Sequence, residues 1–238
     1  MFKKETFQTH VQKERDLIKD VIHGGLDGTI TTFAIVSGVA GAALGAGVTI
    51  AIGFANLFAH GLATGISYYL GEDAEKKYVE RERAIKTKDL LSHFEQTEEE
   101  LEKYYTKKHY SKADAEKIVL TLGKHKRVLA ETALDEEFHL SRVDSSPFKT
   151  GFLTFLSFVV FGFIPLFSYI VSVLLPEFQF DSFIVATGLT MGTIFGLGMF
   201  KAVVSDKQLV KSGIQVVILG GIAAIIAFYV GSKLSHFI

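Results

Sequence analysis

The sequence predicts an all-α membrane protein, five transmembrane helices with a helical, water-facing insertion between the second and third. Three observations lead there. Of 238 residues 48% are hydrophobic, and they gather into blocks of about 20, the length of an α-helix that crosses a bilayer. Eleven of the 22 glycines fall between Gly24 and Gly71, and small residues let helix backbones approach closely in lipid. Between Glu72 and Ser146 the composition switches to charged residues, with Gly123 the only glycine and no proline.

The first element, residues 1–21, carries Lys3, Lys4, Lys13, Arg15 and Lys19, with Phe2, Phe7, Val11, Leu17 and Val21 on or near one side. That pattern predicts an amphipathic helix at the inner membrane surface, the other reading being a mobile basic tail. No uninterrupted apolar run precedes Ile30, which argues against a cleaved signal peptide. A first span follows over residues 22–43 and a second over 48–70, joined by a turn at 44–47. Together they form the membrane segment 22–71, and Asp27, Asn56 and His60 lie inside it. A carboxylate at bilayer depth costs roughly 3 kcal/mol on insertion scales, so such a group should face a partner, a water-filled path or a substrate cation. Gly61 and Gly65 form a GxxxG, expected on a tightly packed helix face.

The insertion, residues 72–146, reads as four helices over 72–91, 97–107, 111–122 and 126–140. Thr97 and Ser111 each stand three residues before an acid, Glu100 and Asp114, and are expected to cap their helices. Ile118, Val119 and Leu122 should pack against Val128, Leu129, Ala133, Leu134 and Phe138, which recur at helical spacing. Glu95, Glu98, Glu99, Glu100 and Glu102 form one acidic cluster; Glu131, Asp135, Glu136 and Glu137 form another. Two readings stand. Joined, these faces would offer oxygen ligands to a divalent cation, with His93 or His139 as nitrogen donors. Alternatively they are solvated faces neutralised by Lys103, Lys107, Lys124 and Lys126.

The last segment, residues 147–238, holds three spans. The third runs over 148–175, with Pro165 as a kink and Pro176 as a stop. Asp181 caps the fourth, which ends near residue 204, and the fifth covers 213–230. Lys and Arg precede the first span and recur at Lys201, Lys207 and Lys211, while the 44–47 and 176–181 connections have none. With five spans this places the N-terminus and residues 72–146 in the cytoplasm and the C-terminus on the opposite side. A net charge of −1 without a basic block speaks against nucleic acid. The absence of cysteine excludes disulfides and thiolate sites. No nucleophile–base pair, zinc motif or phosphate loop points to an enzyme.

Five stretches carry a resemblance across nearly the whole chain. They are Gly24-Gly-Leu-Asp-Gly28, Thr31-Thr-Phe-Ala-Ile-Val36, Ala55-Asn-Leu-Phe-Ala-His-Gly61, Phe155-Leu-Ser-Phe158 with Pro165, and Gly220-Gly-Ile-Ala-Ala-Ile225. In these the chain resembles the vacuolar iron transporter family of divalent-metal/proton antiporters. The resemblance implies a homodimer with the metal path at the subunit interface, and a cytoplasmic helical domain that collects metal. It places Asp27 on the path as the membrane carboxylate, the other reading of that residue being a helix N-cap. Asn56 matches a polar position nearby, as a ligand or as an interhelical hydrogen-bonding group. In the insertion it places metal ligands at Asp89, Glu100 and Glu137, beside Glu136.

The chain departs from the family pattern in ways that bear on the metal. His60 replaces an aspartate, Thr64 a methionine and Tyr68 an acidic residue. Lys86, Thr97, Ala133 and Leu134 stand where the insertion's other ligands would be, and an ammonium repels a divalent ion. The oxygen ligands and one imidazole suit Fe²⁺ or Mn²⁺, and His60 would also admit Zn²⁺. His60 offers proton coupling, or is a neutral interhelical histidine. The expected function is export of Fe²⁺ or Mn²⁺ from the cytoplasm against protons, through Asp27, Asn56, His60 and Thr64. No cofactor is expected beyond the transported metal; the partners are metal ions, protons, membrane lipid and a second copy. The alternative is a transport-deficient relative with a metal-responsive or structural role.

Overall fold

The computed structural model describes residues 2–136, 138, 140, 146–175, 177, 180–205 and 208–237, and side chains from residue 15 onward except 16, 204 and 205. Among these the secondary structure is helical: α1 (Phe2–Gly41), α2 (Ala46–Ser92), α3 (Phe94–Lys107), α4 (Lys112–Gly123), α5 (Lys126–Glu136), α6 (Pro147–Gly162), α7 (Ile164–Leu174), α8 (Ser182–Ser205) and α9 (Leu209–Leu234). Two compact units result, Met1–Leu70 with Ser146–Ile238, and Gly71–Ser145. The division falls within α2, which contributes to both.

In the first unit α1 is the central helix and packs on α6, α7, α8 and α9. Its Ile22, Thr29, Thr32, Phe33, Val36, Ser37 and Val39 are buried. The core gathers Phe33 and Val36 with Leu57, Phe158, Leu166, Tyr169, Ala186 and Ala224. Two glycines set the spacing to α6. A methyl on Gly24 or Gly28 would collide with the carbonyl oxygens of Thr154 and Phe158 respectively, so only hydrogen fits there. Gly61 and Gly65, the expected close-packing pair, also turn to α6, against Phe158 and against Gly151 and Phe155.

The outer faces of this unit are apolar. Phe58, Leu62, Ile66, Phe152, Leu156, Val160, Ile184, Ile218, Ile222, Ile225 and Ile226 are all exposed, an arrangement suited to hydrocarbon rather than water. Three helices, α2, α8 and α9, are long and apolar enough to cross a membrane. The pair α6 and α7 makes a fourth candidate, bent by 44°. The bend sits at Phe163, with Pro165 in the first turn of α7, because proline removes a helical hydrogen bond and crowds the preceding turn.

The expected first span does not pass that test, and its composition explains why. Residues 22–41 mix five glycines, three threonines, His23 and Asp27 with the apolar residues, and this stretch meets protein on several sides. A helix walled in by other helices needs less hydropathy of its own. Nor is there a break where the sequence suggested a separate helix over 1–21, since α1 runs uninterrupted from Phe2. The expected side chains Phe2, Phe7 and Val11 lie outside the described side chains. Pro176, the expected stop, and Lys207 lie outside the described residues. Asp181 caps α8 as its position suggests, its Oδ1 accepting from the Phe183 and Ile184 N–H groups at 2.9 and 3.1 Å.

The α1 terminus closes by backbone alone. The Ala43 N–H donates to the Ala40 carbonyl at 3.0 Å and that of Leu44 to Val39 at 3.1 Å, the paired bonds of a Schellman turn. Ala43 adopts the left-handed φ of 56° where glycine is usual.

The second unit is built on Leu90, Leu101, Val119, Leu129, Ala130, Ala133 and Leu134, with Leu122 and Phe138 packed against them. Val128 is exposed rather than in this core. Ser111 caps α4, accepting from the Asp114 N–H at 3.2 Å. Thr97 does not cap α3: that helix starts at Phe94, and the Thr97 hydroxyl contacts the carbonyls of Leu90 and His93, each at 3.0 Å. A buried hydroxyl offered an acceptor from the preceding helix is drawn inward, which moves the helix start upstream. The last helix ends at Glu136, short of the expected 140.

Candidate functional site

Four-residue spacing puts Asn56, His60, Thr64 and Tyr68 on one face of α2. Opposite them α1 carries Asp27, well inside the helix and so not its N-cap. The Thr64 hydroxyl donates to Asp27 Oδ2 at 3.3 Å, and His60 Nε2 lies 3.8 Å from the same oxygen. Asp27 Oδ1 has no hydrogen-bond or ion-pair partner among the described residues. The two side chains remain 42% and 48% exposed for Asp27 and His60. From α6, the Phe158 ring packs on the imidazole with centroids 5.3 Å apart. One turn further along α1, Thr31 donates to the Asp27 carbonyl at 2.7 Å.

This arrangement brings together three of the four residues expected on the path. The fourth, Asn56, sits one turn before His60, and its Nδ2 is buried without a hydrogen-bond partner. An unsatisfied buried donor costs about 1–3 kcal/mol, so its retention asks for a use. Two further residues extend the polar seam: Tyr68, noted from sequence only as a departure from the family pattern, and Asp20, which was not singled out. Asp20 is buried in α1, seven residues before Asp27 and on the same face. Tyr68 lies within electrostatic reach of both carboxylates and packs on His23 with ring centroids 6.0 Å apart. The i, i+7 spacing of Asp20 and Asp27 was the available signal.

In the second unit the expected ligands that are described, Asp89, Glu100 and Glu136, each have a partner from the chain itself. Asp89 Oδ1 meets His93 Nδ1 at 3.3 Å, and Glu100 accepts from Gln96 at 3.1 Å. Glu136 Oε2 accepts from the Tyr104 hydroxyl at 3.1 Å and from Lys108 Nζ at 2.5 Å. Asp135 pairs with Arg83 at 2.5 Å, and Lys86 lies 4.5 Å from the Phe138 ring centroid. Glu137 and His139 lie outside the described residues. Among the described residues, no group of three or more His, Asp or Glu side chains is placed to hold a metal ion. The hydrogen bond to Glu136 pushes the Lys108 ammonium well above its ordinary 10.5. Burial, then the Glu136 charge, raises the Tyr105 phenol above 10.0.

Comparison with known proteins follows this geometry. The VIT family model matches residues 18–232. Over 228 residues the chain is 34% identical to the vacuolar iron transporter of Plasmodium berghei, covering 93% of this chain and 84% of that protein. Over 233 residues it is 32% identical to the vacuolar iron transporter of Toxoplasma gondii, covering 95% and 77%. Identity to vacuolar iron transporter 1 of Arabidopsis thaliana is 22% over 222 residues, covering 93% and 87%.

Proposed function

The chain belongs to the VIT family, and on that premise we propose that it exports Fe²⁺ or Mn²⁺ from the cytoplasm in exchange for protons. The relatives' name supports iron as cargo. The observation that carries the reading is the Asp27 carboxylate, held between α1 and α2 in an apolar-faced unit with one oxygen engaged and the other open. In lipid such a group is retained for a cation or a proton.

In this mechanism α1 supplies the fifth span, and the Lys/Arg distribution orients the N-terminus and residues 71–145 toward the cytoplasm. Acidic helices of the second unit raise the local cation concentration. The Asp27 carboxylate takes the ion, with His60, Thr64 and Asn56 as neighbouring donors. A proton arriving from the far side neutralises the same carboxylate and releases the metal. The near-half exposure of Asp27 and His60 supports a second copy closing over them as a homodimer. Proteoliposome uptake of Fe²⁺ and Mn²⁺ under an imposed pH gradient tests this. Asp27→Asn is expected to abolish gradient-driven uptake, and uptake equal to that of the parent protein rejects the assignment.

One observation favours a second reading, a metal-responsive or structural membrane protein that does not transport. Asp89, Asp135 and Glu136 are paired with His93, Arg83 and Lys108 of the chain itself. Reconstituted protein that moves no divalent ion, while still assembling in the membrane, would select it.

A further inference from the structure

We propose that the His60 imidazole is a direct metal ligand that sets which divalent ions pass, favouring Co²⁺ and Zn²⁺ over Mn²⁺ and Mg²⁺. This rests on the reading above that the Asp27 site carries metal, and adds a selectivity that the relatives' names do not supply.

Geometry comes first. His60 Nε2 and Asp27 Oδ2 are 3.8 Å apart. Two donors bound to one ion at about 2.1 Å each, at angles of roughly 90–110°, stand some 3.0–3.4 Å apart. The pair therefore closes on an ion by about half an ångström, within the reach of one χ adjustment. Thr64 already fixes Oδ2 through its hydrogen bond. The Phe158 ring, itself fully buried, limits how far the imidazole can swing.

The histidine's own bonding is the second observation. His93 Nδ1 and His236 Nδ1 each bond back to the carbonyl four residues earlier, at 3.3 and 3.1 Å. His60 makes no such bond, and the Asp27 contact is its one polar partner among the described residues. Its ring nitrogens are therefore available to a ligand.

The third observation is what surrounds the pair. No third His, Asp or Glu joins it among the described residues, so imidazole nitrogen supplies half of the strong donors. Nitrogen ligation steepens the rise in affinity from Mn²⁺ through Fe²⁺ to Co²⁺, and hard oxygen-seeking ions gain nothing from it.

The test uses the full chain in proteoliposomes, with Co²⁺ and Mn²⁺ supplied together and the uptake ratio measured. The parent protein is expected to favour Co²⁺ by about tenfold or more. In His60→Asp the Co²⁺/Mn²⁺ ratio should fall by about tenfold. Visible absorption of Co²⁺-loaded protein should shift on the same substitution as a nitrogen donor is lost, and His60→Asn serves if the aspartate variant does not assemble. An unchanged ratio or an unchanged Co²⁺ spectrum overturns the proposal while the transport reading stands. Failure of the parent protein to move either ion overturns both.

Discussion

Substituting Gly28 by alanine tests whether α1 and α6 meet backbone to backbone. The added methyl would collide with the Phe158 carbonyl oxygen and lie 2.8 Å from the Phe158 Cα and carbonyl carbon. Carbon–carbon contact settles at about 3.5–4 Å, so α6 must retreat by roughly 1 Å, and the obstacle is main chain rather than a side chain that can turn. Overpacking of this kind costs typically 1–3 kcal/mol, and a backbone obstacle places the loss near about 3. For a chain of this length that corresponds to a fall in Tm of roughly 6–12 °C. The measurement is thermal unfolding of purified full-length protein in detergent. Gly192→Ala is the matched control, because a methyl there meets nothing within 4 Å. Equal melting of Gly28→Ala and the parent protein, or an equal loss in the control, would refute the reasoning.

Two further outcomes concern the second unit. Arg83 is 9% exposed, pairs with Asp135 and also donates to the Leu140 carbonyl. Removing one partner of a fully buried pair costs about 3–5 kcal/mol, but the Asp135 side chain is 49% exposed, so Arg83→Met should cost roughly 2. Faster limited proteolysis of residues 71–145 at unchanged detergent stability of the first unit would register it. The Lys108 and Tyr105 shifts are both upward. Their stabilising contribution is therefore complete below the ordinary values of 10.5 and 10.0 and is lost as the pH climbs through the folded-state values. Glu136→Gln should lower the Tyr105 ionisation midpoint, read as tyrosinate absorbance, and weaken the loss of protection on the alkaline side.

Local features were the legible ones. Asp181, Ser111 and Pro165 act within one turn of themselves, so the sequence around them is enough to place a cap or a break. Thr97 shows the limit: its neighbours spell a cap, yet its hydroxyl is drawn to Leu90, a residue of the preceding helix. Glu136 shows it again. Spacing groups it with other carboxylates of α5, while Tyr104 and Lys108 reach it from α3 and its C-cap. In the first unit the polar residues of α1 and α2 were visible as misfits in apolar segments. That His60 and Thr64 converge on one oxygen of Asp27 was not, since the relative rotation of two helices is set by packing on a third. Asp20 went unnoticed because it sits where a charged N-terminal stretch gives way to the first apolar residues.

The placement of α1 has a consequence for how the protein comes into being. This helix, with its glycines, threonines and carboxylates, is the one a lipid environment would least readily accept, and α6, α7, α8 and α9 are among its surroundings. Those neighbours act as its solvent. They are synthesised after it, so the carboxylate-bearing helix reaches its final environment only once α9 has been made. A lesion in the C-terminal third, such as at Gly231, where a methyl would collide with the Gly38 carbonyl, can therefore silence Asp27 without touching it.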